Sequence, residues 1–492
     1  MKLAALMERA GLAVPEAAGT VEVTGFAIDH RKVAPGTVFG AFQGAKVDGE
    51  GFIPAALAAG AVAVVARSEA AVAGALHIAS DNPRRAFARL AAGFFQPVPQ
   101  TLVAVTGTNG KTSTVEMTRQ IWRMGGERAA SIGTLGVTTP DGSVSTGLTT
   151  PDIVTFLANM AGLAREGVTH VAYEASSHGL SQYRSEGLPV AACAFTNFSR
   201  DHLDYHGTME DYFAAKLRLL GEVVEAGAPA IIHLGVDGAE WMARAAEYAA
   251  ARGLDVRTVG EGGAFLRLIA RAPSQLGQTL TIAHAGETRK VTLPLIGAYQ
   301  AANALVAAGL AISTGMAASA VFDALSRLQP VRGRLERAAI NPAGAPVYVD
   351  YAHTPDALEA AIAALRPHVG DGGRLIVVFG AGGDRDTGKR APMGEAAAKG
   401  ADAVIVTDDN PRSEEPSAIR AAIMAGAGAA AREVPDRRAA IAAAIAEAGE
   451  RDIVLIAGKG HEQGQIFGSG DTMRIEPFDD VEVARQCAGG EC

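Results

Sequence analysis

Short runs of β-branched and aliphatic residues alternate along the chain with longer Ala-rich segments of helical periodicity. The apolar runs end in glycine or polar residues, as buried strands do where a loop follows at the edge of a sheet. The runs that predict strands are TLVAVTG, THVAYEA, PAIIHLG, PVYVDYA, RLIVVFG, DAVIVTDD and DIVLIAG. Helices are predicted between most of them, over residues 113–124, 152–165, 298–314, 355–365 and 418–425.

Buried strands that are each followed by a helix predict an α/β fold with mostly parallel sheets. Ligands in such folds bind beyond the carboxyl ends of the strands, so the residues after each strand are the first site candidates. Two breaks divide the chain, the Pro-rich segment 95–100 (FQPVPQ) and the segment 329–334 (QPVRGR). They predict three domains, over residues 1–97, 98–331 and 332–492.

Composition narrows the class of protein. With 44 Lys and Arg against 53 Asp and Glu, the net charge of −9 argues against a protein that mainly coats nucleic acid. Three cysteines are too few for a disulfide framework or a zinc cluster, so a reducing compartment, the cytoplasm, is expected. Residues 291–322 carry no charge, but alanine with interspersed glycine and proline favours a buried helix over a membrane span.

The strongest local signal is VAVTGTNGKTST, residues 103–114, where an apolar strand leads into a Gly-rich loop and a helix. Backbone N–H groups of such a loop bind phosphate at the helix N-terminus. Lys111 is expected to reach the phosphates and Thr112 to place its hydroxyl on Mg²⁺. Val105 stands where the common motif has its first glycine, and a plain Gly-rich turn is the alternative. The residues predicted to bind ATP here are Gly107, Thr108, Asn109, Gly110, Lys111, Thr112 and Ser113.

Two later segments also carry charged residues at strand ends. In YEASSHGLSQYR, Glu174 ends an apolar strand and is predicted to bind the Mg²⁺ of the phosphate loop. Its Ser-Ser-His string would also suit a hydrolase, but no G-x-S-x-G surrounds it. The segment 196–220 places His202 and His206 among acidic residues, which indicates a metal or phosphate site or, alternatively, a hydrogen-bonded loop.

The last third of the chain has polar loops after four predicted strands. VDYAHTPDAL contains Asp350 and His353, with Thr354 as the predicted N-cap of a helix. The others, VVFGAGGDRDTGKR, VTDDNPRSEEP and AGKGHEQGQ, mix acidic and basic side chains. Mixed charges suit a ligand that bears ammonium and carboxylate groups together. The residues thus indicate an ATP-dependent enzyme that joins an anionic substrate to an amino acid, and solvated loops are the alternative.

At this point the chain resembles a known family. The strings GTNGKT, EASSHGL, SRDHLDYHGT, DYAHTPD, GGDRDTGKR, DNPR and GKGHE, together with Lys216, resemble the Mur ligases of peptidoglycan synthesis from about Asp29 to Glu462. The resemblance implies a small α/β N-terminal domain that binds a UDP-substrate. It also implies a central P-loop ATPase-like domain with a mostly parallel sheet, and a Rossmann-like C-terminal domain that binds an amino acid.

The activity implied by the resemblance is ATP-dependent addition of meso-2,6-diaminopimelate to the D-Glu γ-carboxylate of UDP-MurNAc-L-Ala-D-Glu, through an acyl phosphate. It implies ATP and Mg²⁺ as cofactors and a role in cell wall biogenesis, cell shape and cell division. A cytoplasmic monomer without a nucleic acid partner or a membrane span is expected. Two alternatives stay open: addition of lysine, and a nucleotide-dependent switch that forms no bond.

The resemblance also assigns residues. The catalytic set is Lys111, Glu174, His202 and Lys216, and the metal ligands are Thr112, Glu174, His202 and Lys216 as a carbamate. Further ATP contacts are Asn303, Arg334, Asp350 and His353. The UDP-substrate contacts are His30, where the family usually has serine, with Ala45, Lys46, Val47, Thr149, Thr150, Ser176, Gln182 and Arg184. The diaminopimelate contacts are Arg385, Asp409, Asn410, Pro411, Arg412, Gly458 and Glu462, with Arg412 opposite the second carboxylate.

Overall fold

The computed structural model describes residues 1–44, 47–144, 149–235 and 238–492. The chain folds into two compact units. The first comprises Met1–Leu266 with Val306–Val321, and the second comprises Arg267–Leu305 with Phe322–Cys492. This division into two units does not test the three domain boundaries predicted from the sequence, which stay a prediction.

The first unit begins with a small parallel sheet in the order β1-β2-β3-β4. Phe87 of the third helix and Phe26 of the first strand pack edge-to-face in its core, with ring centroids 5.3 Å apart. The strands are β1 Gly25–Ala27, β2 Thr37–Gly40, β3 Ala61–Ala66 and β4 Leu76–Ala79. The helices are α1 Leu3–Arg9, α2 Ile53–Ala58 and α3 Pro83–Phe94.

A larger sheet follows in the same unit. Its strands run in the order β12-β11-β10-β5-β9-β6-β7-β8, parallel from β12 to β6 and antiparallel at β7 and β8. The strands are β5 Thr101–Thr106, β6 Ala129–Gly133, β7 Gly136–Thr138, β8 Ser143–Val144, β9 His170–Glu174, β10 Val190–Phe195, β11 Pro229–His233 and β12 Asp255–Gly260. The helices are α4 Lys111–Met124, α5 Ile153–Arg165, α6 Ser177–Ser181, α7 Leu203–His206, α8 Met209–Arg218 and α9 Ala239–Ala251, and a π-helical turn, Leu219–Val223, follows α8.

The second unit contains an antiparallel meander, parts of two helices whose other residues belong to the first unit, and a mainly parallel sheet. The meander is β13 Leu266–Ser274, β14 Gly277–His284 and β15 Glu287–Leu293, and the two divided helices are α10 Ala298–Ser313 and α11 Ala318–Leu325.

The mainly parallel sheet of this unit has the order β16-β17-β21-β18-β19-β20, with only β16 antiparallel. Its strands are β16 Glu336–Ile340, β17 Pro346–Asp350, β18 Leu375–Phe379, β19 Ala403–Val406, β20 Ala431–Glu433 and β21 Ile453–Ala457. The hairpin β22 Gly464–Phe467 and β23 Arg474–Pro477 follows, and the helices are α12 Pro355–Leu365, α13 Arg390–Gly400, α14 Pro416–Ala427, α15 Arg437–Glu447 and α16 Asp480–Ala488.

The α/β fold and the predicted strands are confirmed. β5, β17, β18 and β21 are buried over nearly their whole length, as their continuous apolar runs indicate. Thr354 caps α12 as predicted, since its hydroxyl accepts a hydrogen bond from the Ala357 N–H. The uncharged stretch contains the buried helix α10, and no described helix has the length and hydrophobicity that a membrane crossing requires.

Two features were not expected. The antiparallel meander β13–β15 was not predicted. Its outer strands β13 and β15 are largely exposed and mix polar with apolar residues, so they lack the continuous apolar run of a buried parallel strand. Cys487 and Cys492 form a disulfide, which the cysteine count alone did not suggest, and Cys193 is free and buried.

Candidate functional site

The Gly-rich loop that is predicted to bind phosphate lies between β5 and α4, as the sequence indicated. Thr106 ends the strand and Lys111 begins the helix, so the backbone N–H groups of the first helical turn point toward the loop. Lys111 Nζ donates to the carbonyl oxygens of Gly107 and Thr108, at 2.9 and 2.8 Å. The ammonium group is thereby held over the loop that it is expected to serve.

The two glycines of this loop are required by the backbone. Gly107 has φ of 140° and Gly110 has φ of 83°, both in the region that favours glycine. A Cβ at Gly107 would lie 2.0 Å from Thr196 Oγ1. The segment after β10 also holds the loop from the other side, because Thr108 N donates to Asn197 O at 2.9 Å. The conformation of the loop is therefore fixed by its glycines and by contacts with the segment after β10.

Glu174 and Thr112 come together behind the loop, as the sequence predicted. Glu174 ends β9, and only 1% of its surface is exposed. Its Oε1 accepts hydrogen bonds from Thr112 Oγ1 at 2.9 Å and from Thr134 N at 2.7 Å. Oxygen atoms of a carboxylate and a hydroxyl suit Mg²⁺, which usually takes its remaining ligands from phosphate and water. That chemistry needs no larger cluster, and the described residues hold no group of three or more His, Cys, Asp or Glu arranged for a metal.

Lys216 lies in α8 and reaches the same loop. It is 1% exposed, and its Nζ donates to Gly107 O at 2.6 Å. Burial, reinforced by the positive charge of Lys111, lowers the pKa of the Lys216 ammonium well below its ordinary value. Two lysine side chains thus donate to one carbonyl oxygen of the loop.

His202 stands near this pair of lysines. Burial lowers the pKa of its imidazole, while Asp201 opposes that shift and the charges of Lys111 and Lys216 add to it. The ring packs against His178, with centroids 5.0 Å apart. Sequence reasoning named His178 only within the Ser-Ser-His string, and it gave no sign that these rings would meet.

Four of the residues assigned to the UDP-substrate form one hydrogen-bonded network around α6, namely Thr150, Ser176, Gln182 and Arg184. Thr150 Oγ1 contacts Ser176 Oγ at 3.0 Å, and Ser176 Oγ accepts from Gly179 N as the N-cap of α6. Arg184 donates to Thr150 O and to Gln182 Oε1, both at 2.7 Å. The Ser176 hydroxyl is therefore engaged in capping, which argues against the hydrolase alternative.

Thr149 joins the same area, since its hydroxyl lies 3.1 Å from Thr134 Oγ1, a neighbour of Glu174. The network around α6 thus adjoins the carboxylate predicted to bind metal.

Among the N-terminal candidates, the His30 ring stacks on Phe52 with centroids 4.4 Å apart. Val47 is exposed. Ala45 and Lys46 lie outside the described residues.

In the second unit, the residues assigned to the nucleotide lie near the end of β17. Asp350 is buried, and its two oxygens accept from the N–H groups of Leu335 and Ala352, at 2.7 and 2.9 Å. Burial raises the pKa of this carboxyl, and the Arg334 guanidinium opposes the shift. Gln300, which sequence reasoning missed, links Arg334 to Asn303. Its Nε2 donates to Arg334 O at 2.8 Å, and its Oε1 accepts from Asn303 Nδ2 at 3.4 Å. His353 is exposed, and its carbonyl oxygen accepts from Lys389 at 2.8 Å.

The three mixed-charge loops meet at the carboxyl ends of β18, β19 and β21, as predicted. Asn410 donates to Glu462 Oε2 at 2.9 Å, which joins the DNPR loop to the GKGHE loop. Gly458 has φ of 116°, and a Cβ there would lie 2.6 Å from Asp409 Oδ2. Arg412 donates through Nη1 to Gly383 O at 2.8 Å, which joins the DNPR loop to the GGDRDTGKR loop.

The remaining members of this predicted set are placed in the same loops. Arg385 is exposed on the GGDRDTGKR loop. Pro411 is buried. A Cβ at position 383 would lie only 1.9 Å from the Pro411 carbonyl oxygen. Glycine at position 383 is thus required for the close approach of the DNPR loop.

Sequence reasoning missed a buried ion pair beneath these loops. Arg437, the first residue of α15, pairs with Asp480, the first residue of α16, at 2.7 Å, and both side chains are fully buried. Arg437 also donates to the carbonyl oxygens of Asp408 and Ala457, at 3.3 and 3.0 Å. It therefore holds the two residues that directly precede Asp409 and Gly458. The two charges are 43 residues apart, so no local pattern links them.

Comparison with known protein families agrees with this geometry. Residues 22–103 match the family described as Mur ligase family, catalytic domain, and residues 105–311 match Mur ligase middle domain. Residues 333–460 match Mur ligase, glutamate ligase domain. A relative from Zymomonas mobilis is 57% identical over 464 residues, which is 94% of each chain. The chain belongs to the Mur ligase family.

The names of individual relatives are more specific. The Zymomonas mobilis Mur ligase is named UDP-N-acetylmuramoyl-L-alanyl-D-glutamate--2,6-diaminopimelate ligase. A Bradyrhizobium diazoefficiens Mur ligase of the same name is 53% identical over 96% of each chain. A solved structure of a ligase with this name has a TM-score of 0.74 and 33% identity, and covers 99% of each chain.

More distant structures share the Mur ligase fold. The ligase MurF from Thermotoga maritima, solved with ADP, has a TM-score of 0.60 at 18% identity and covers 96% of this chain and 98% of its own. A folylpolyglutamate synthase from Mycobacterium tuberculosis has a TM-score of 0.58 at 21% identity over 75% of this chain and 90% of its own. At these identities the likeness concerns the fold alone.

Proposed function

We propose that this Mur ligase joins meso-2,6-diaminopimelate to the D-Glu γ-carboxylate of UDP-MurNAc-L-Ala-D-Glu, with conversion of ATP to ADP and phosphate. The observation that carries the proposal is the 57% identity, over 94% of the chain, to a relative named for this reaction. The convergence of the DNPR and GKGHE loops supports the choice of amino acid, because Arg412 can pair with the second carboxylate, which lysine lacks.

The phosphate loop supports the first step of the reaction. A γ-carboxylate oxygen of the substrate attacks the terminal phosphorus of ATP, ADP leaves, and an acyl phosphate forms. Lys111 and the loop N–H groups bind the phosphates, where their positive charge stabilises the transferred group. Thr112 and Glu174 would hold Mg²⁺, which neutralises phosphate charge when it is bound.

The second step joins the amino acid. The amine nitrogen attacks the acyl carbon, and phosphate leaves from the tetrahedral intermediate as the nitrogen loses its proton. Thr149, Thr150, Ser176, Gln182 and Arg184 would hold the UDP-substrate, together with His30 and the segment 45–47. The loops that contain Asp409, Arg412 and Glu462 would orient the amine by binding the distal end of diaminopimelate. Correct orientation supplies much of the rate of such a step.

Lys216 is proposed to act as a carbamate, which with His202 would bind a second Mg²⁺. Carbamate formation requires the neutral amine, whose lone pair attacks CO₂ while one proton leaves the nitrogen. The burial of Lys216 and the lowered pKa of its ammonium support this form.

The proposal also assigns nucleotide contacts in the second unit, namely Asn303, Arg334, Asp350 and His353. A cytoplasmic monomer that serves cell wall growth and cell division completes the proposal.

The test is phosphate release with ATP, Mg²⁺ and UDP-MurNAc-L-Ala-D-Glu, measured with meso-diaminopimelate, with L-lysine and without an amine. Release that depends on diaminopimelate is expected. Release with lysine would keep the mechanism but reject the specificity assigned to Arg412. Slow release that ignores both amines would support the nucleotide-dependent switch instead.

A further inference from the structure

Lys459, in the GKGHE loop, is a fully buried cation to which neither the sequence motifs nor the proposed mechanism gives a role. Its side chain has 0% exposure. A buried ammonium is stable only where nearby acceptors replace its hydration. The acceptors around Lys459 are side chains of the amino-acid loops themselves.

The contacts of Lys459 are specific. Nζ donates to Asn410 Oδ1 at 2.8 Å and to Glu462 Oε2 at 3.4 Å, and it lies 3.8 Å from Asp409 Oδ1. Each of these three partners is assigned to the binding of diaminopimelate. The ammonium itself is enclosed, so it is placed to act on the ligand only through them.

The bond to Asn410 fixes the orientation of an amide. With Oδ1 facing Lys459 and the Ile466 N–H, which donates at 3.0 Å, the Nδ2 group must point the other way. It then donates to Glu462 Oε2 at 2.9 Å. Rotation of the amide would place Nδ2 against two donors, at the cost of unsatisfied hydrogen bonds.

The charge of Lys459 also keeps two acidic side chains close together. Asp409 is buried and Glu462 is half-buried, and the ammonium lies within 4 Å of a carboxylate oxygen of each. Without this cation the two carboxylates would repel each other in a region of low polarity. Glu462 would then be free to turn toward water.

We propose that Lys459 is a positioning residue of the amino-acid site, which orients Asn410 and Glu462 for the distal ammonium end of the added amino acid. The inference rests on the proposed function, since it assigns Lys459 to the same site. It predicts an effect on the affinity for the amino acid and little effect on ATP or the UDP-substrate.

The test compares Lys459→Met, Lys459→Gln and the wild type in phosphate-release assays in which one substrate is varied at a time. Lys459→Met is expected to raise the KM for meso-diaminopimelate about 10- to 100-fold, the range of a lost hydrogen bond to a charged group. Lys459→Gln, whose amide can still donate to Asn410, is expected to raise it less. The KM for ATP is expected to stay within about twofold in both, as for a group with no nucleotide contact.

A double-mutant cycle with Glu462→Gln separates positioning from general destabilisation. If Lys459 acts through Glu462, Lys459→Met is expected to raise the KM by less than about threefold in the Glu462→Gln background. Lys399→Met, at a lysine whose side chain is 80% exposed in the same unit, is the matched control. If Lys459→Met does not fold, Lys459→Gln carries the same cycle.

Three outcomes would overturn the inference: an unchanged KM for diaminopimelate, additive effects in the cycle, or an equal rise in the KM for ATP. These outcomes differ from failure of the proposed function, because the wild type is measured first. A wild type that ignores diaminopimelate would reject the function itself, whereas an active wild type with an unaffected Lys459→Met variant would reject only the role of Lys459.

Discussion

Gly107 O accepts hydrogen bonds from the side-chain nitrogens of Lys111 and Lys216. Two ammonium groups at one neutral oxygen would repel each other, and burial adds to that cost, so the pKa of Lys216 is lowered and its neutral amine is favoured. A carbamate formed on that amine would place a negative charge close to the Lys111 ammonium. The phosphate role proposed for Lys111 and the carbamate proposed for Lys216 are therefore linked, because the Lys111 charge would offset both a phosphate and a carbamate.

Replacement of Lys216 tests this account at the level of a single side chain. Lys216→Ala is expected to lower the rate of phosphate release at least about 100-fold, as the loss of a group that stabilises charge in the transition state does. If the missing group is a carboxylate-like carbamate, a small carboxylic acid such as acetate is expected to restore part of the rate. The measurement is the rate against acetate concentration, with chloride as the control anion. Equal effects of acetate and chloride would contradict the carbamate.

Arg412 makes a second prediction for one residue. Its backbone is held in a left-handed conformation with φ of 53°, and its guanidinium is anchored at Gly383 O. Arg412→Ala is expected to raise the KM for meso-diaminopimelate about 10- to 100-fold, through loss of a charge-assisted contact to its second carboxylate. The KM for ATP should stay within about twofold, as for a change that affects one substrate only.

The control for Arg412 is L-lysine as the amine, because it has no second carboxylate for the guanidinium to bind. The variant is expected to narrow the preference for diaminopimelate over lysine. A loss of rate that is the same for both amines would show that the loop had been disrupted rather than its charge removed.

At the scale of secondary-structure elements, the loops that are proposed to bind the amino acid depend on the helices packed beside them. Arg437 at the start of α15 and Asp480 at the start of α16 form a fully buried pair, and Arg437 also donates to the carbonyl oxygens of Asp408 and Ala457. A buried pair is weak evidence for stability by itself, but removal of one partner leaves an uncompensated charge. The pair therefore makes the geometry of two loops depend on the packing of two helices.

Arg437→Met is expected to destabilise the protein by about 3–5 kcal/mol, because Asp480 is left buried and unpaired. Thermal or urea unfolding measures the loss. The double variant Arg437→Met with Asp480→Met is expected to recover much of it, since no charge then stays buried. Arg432→Met, at a partly exposed pair with Glu447, is the control and should change the melting temperature only slightly. A single variant as stable as this control would refute the structural role of the pair.

At the scale of the whole molecule, the parts that sequence reasoning predicted share one property. Each candidate loop of the second unit follows a continuous apolar run, and parallel strands bring their carboxyl ends to one edge. Asn410 and Glu462 were assigned to one site by the family resemblance, and their contact agrees with the shared edge at which β19 and β21 end. Thr112 and Glu174 were paired because a phosphate loop needs a carboxylate at a strand end, and their contact agrees with the adjacency of β5 and β9.

The parts that were missed depend on contacts without a local signal. Arg437 is one arginine in an Ala-rich helix, and Lys459 is one lysine in a charged loop. The burial of each side chain depends on elements distant in sequence. The stacking of His30 on Phe52 is likewise a tertiary contact between two short turns. Strand patterns predict where loops meet, whereas the buried charges that support them become visible only once the helices are packed.

Nucleotide binding gives a prediction for the protein as a whole. A ligand that binds only the native state stabilises it in proportion to the logarithm of its concentration over Kd, about 2.7 kcal/mol at 100 times Kd. Mg²⁺ with ATP is therefore expected to raise the melting temperature of the wild type. Lys111→Ala should lose most of this shift while the melting temperature without nucleotide changes little. An undiminished shift in the variant would place the nucleotide elsewhere.

The position of Asp480 has a practical consequence for anyone who works with this enzyme. Asp480 begins α16, and a variant without this helix would lose the partner of Arg437. Loss of that partner would then disturb the loops that are proposed to bind the amino acid, although residues after 480 contribute no predicted substrate contact. Affinity tags and fusion partners are therefore safer after α16 than in place of it.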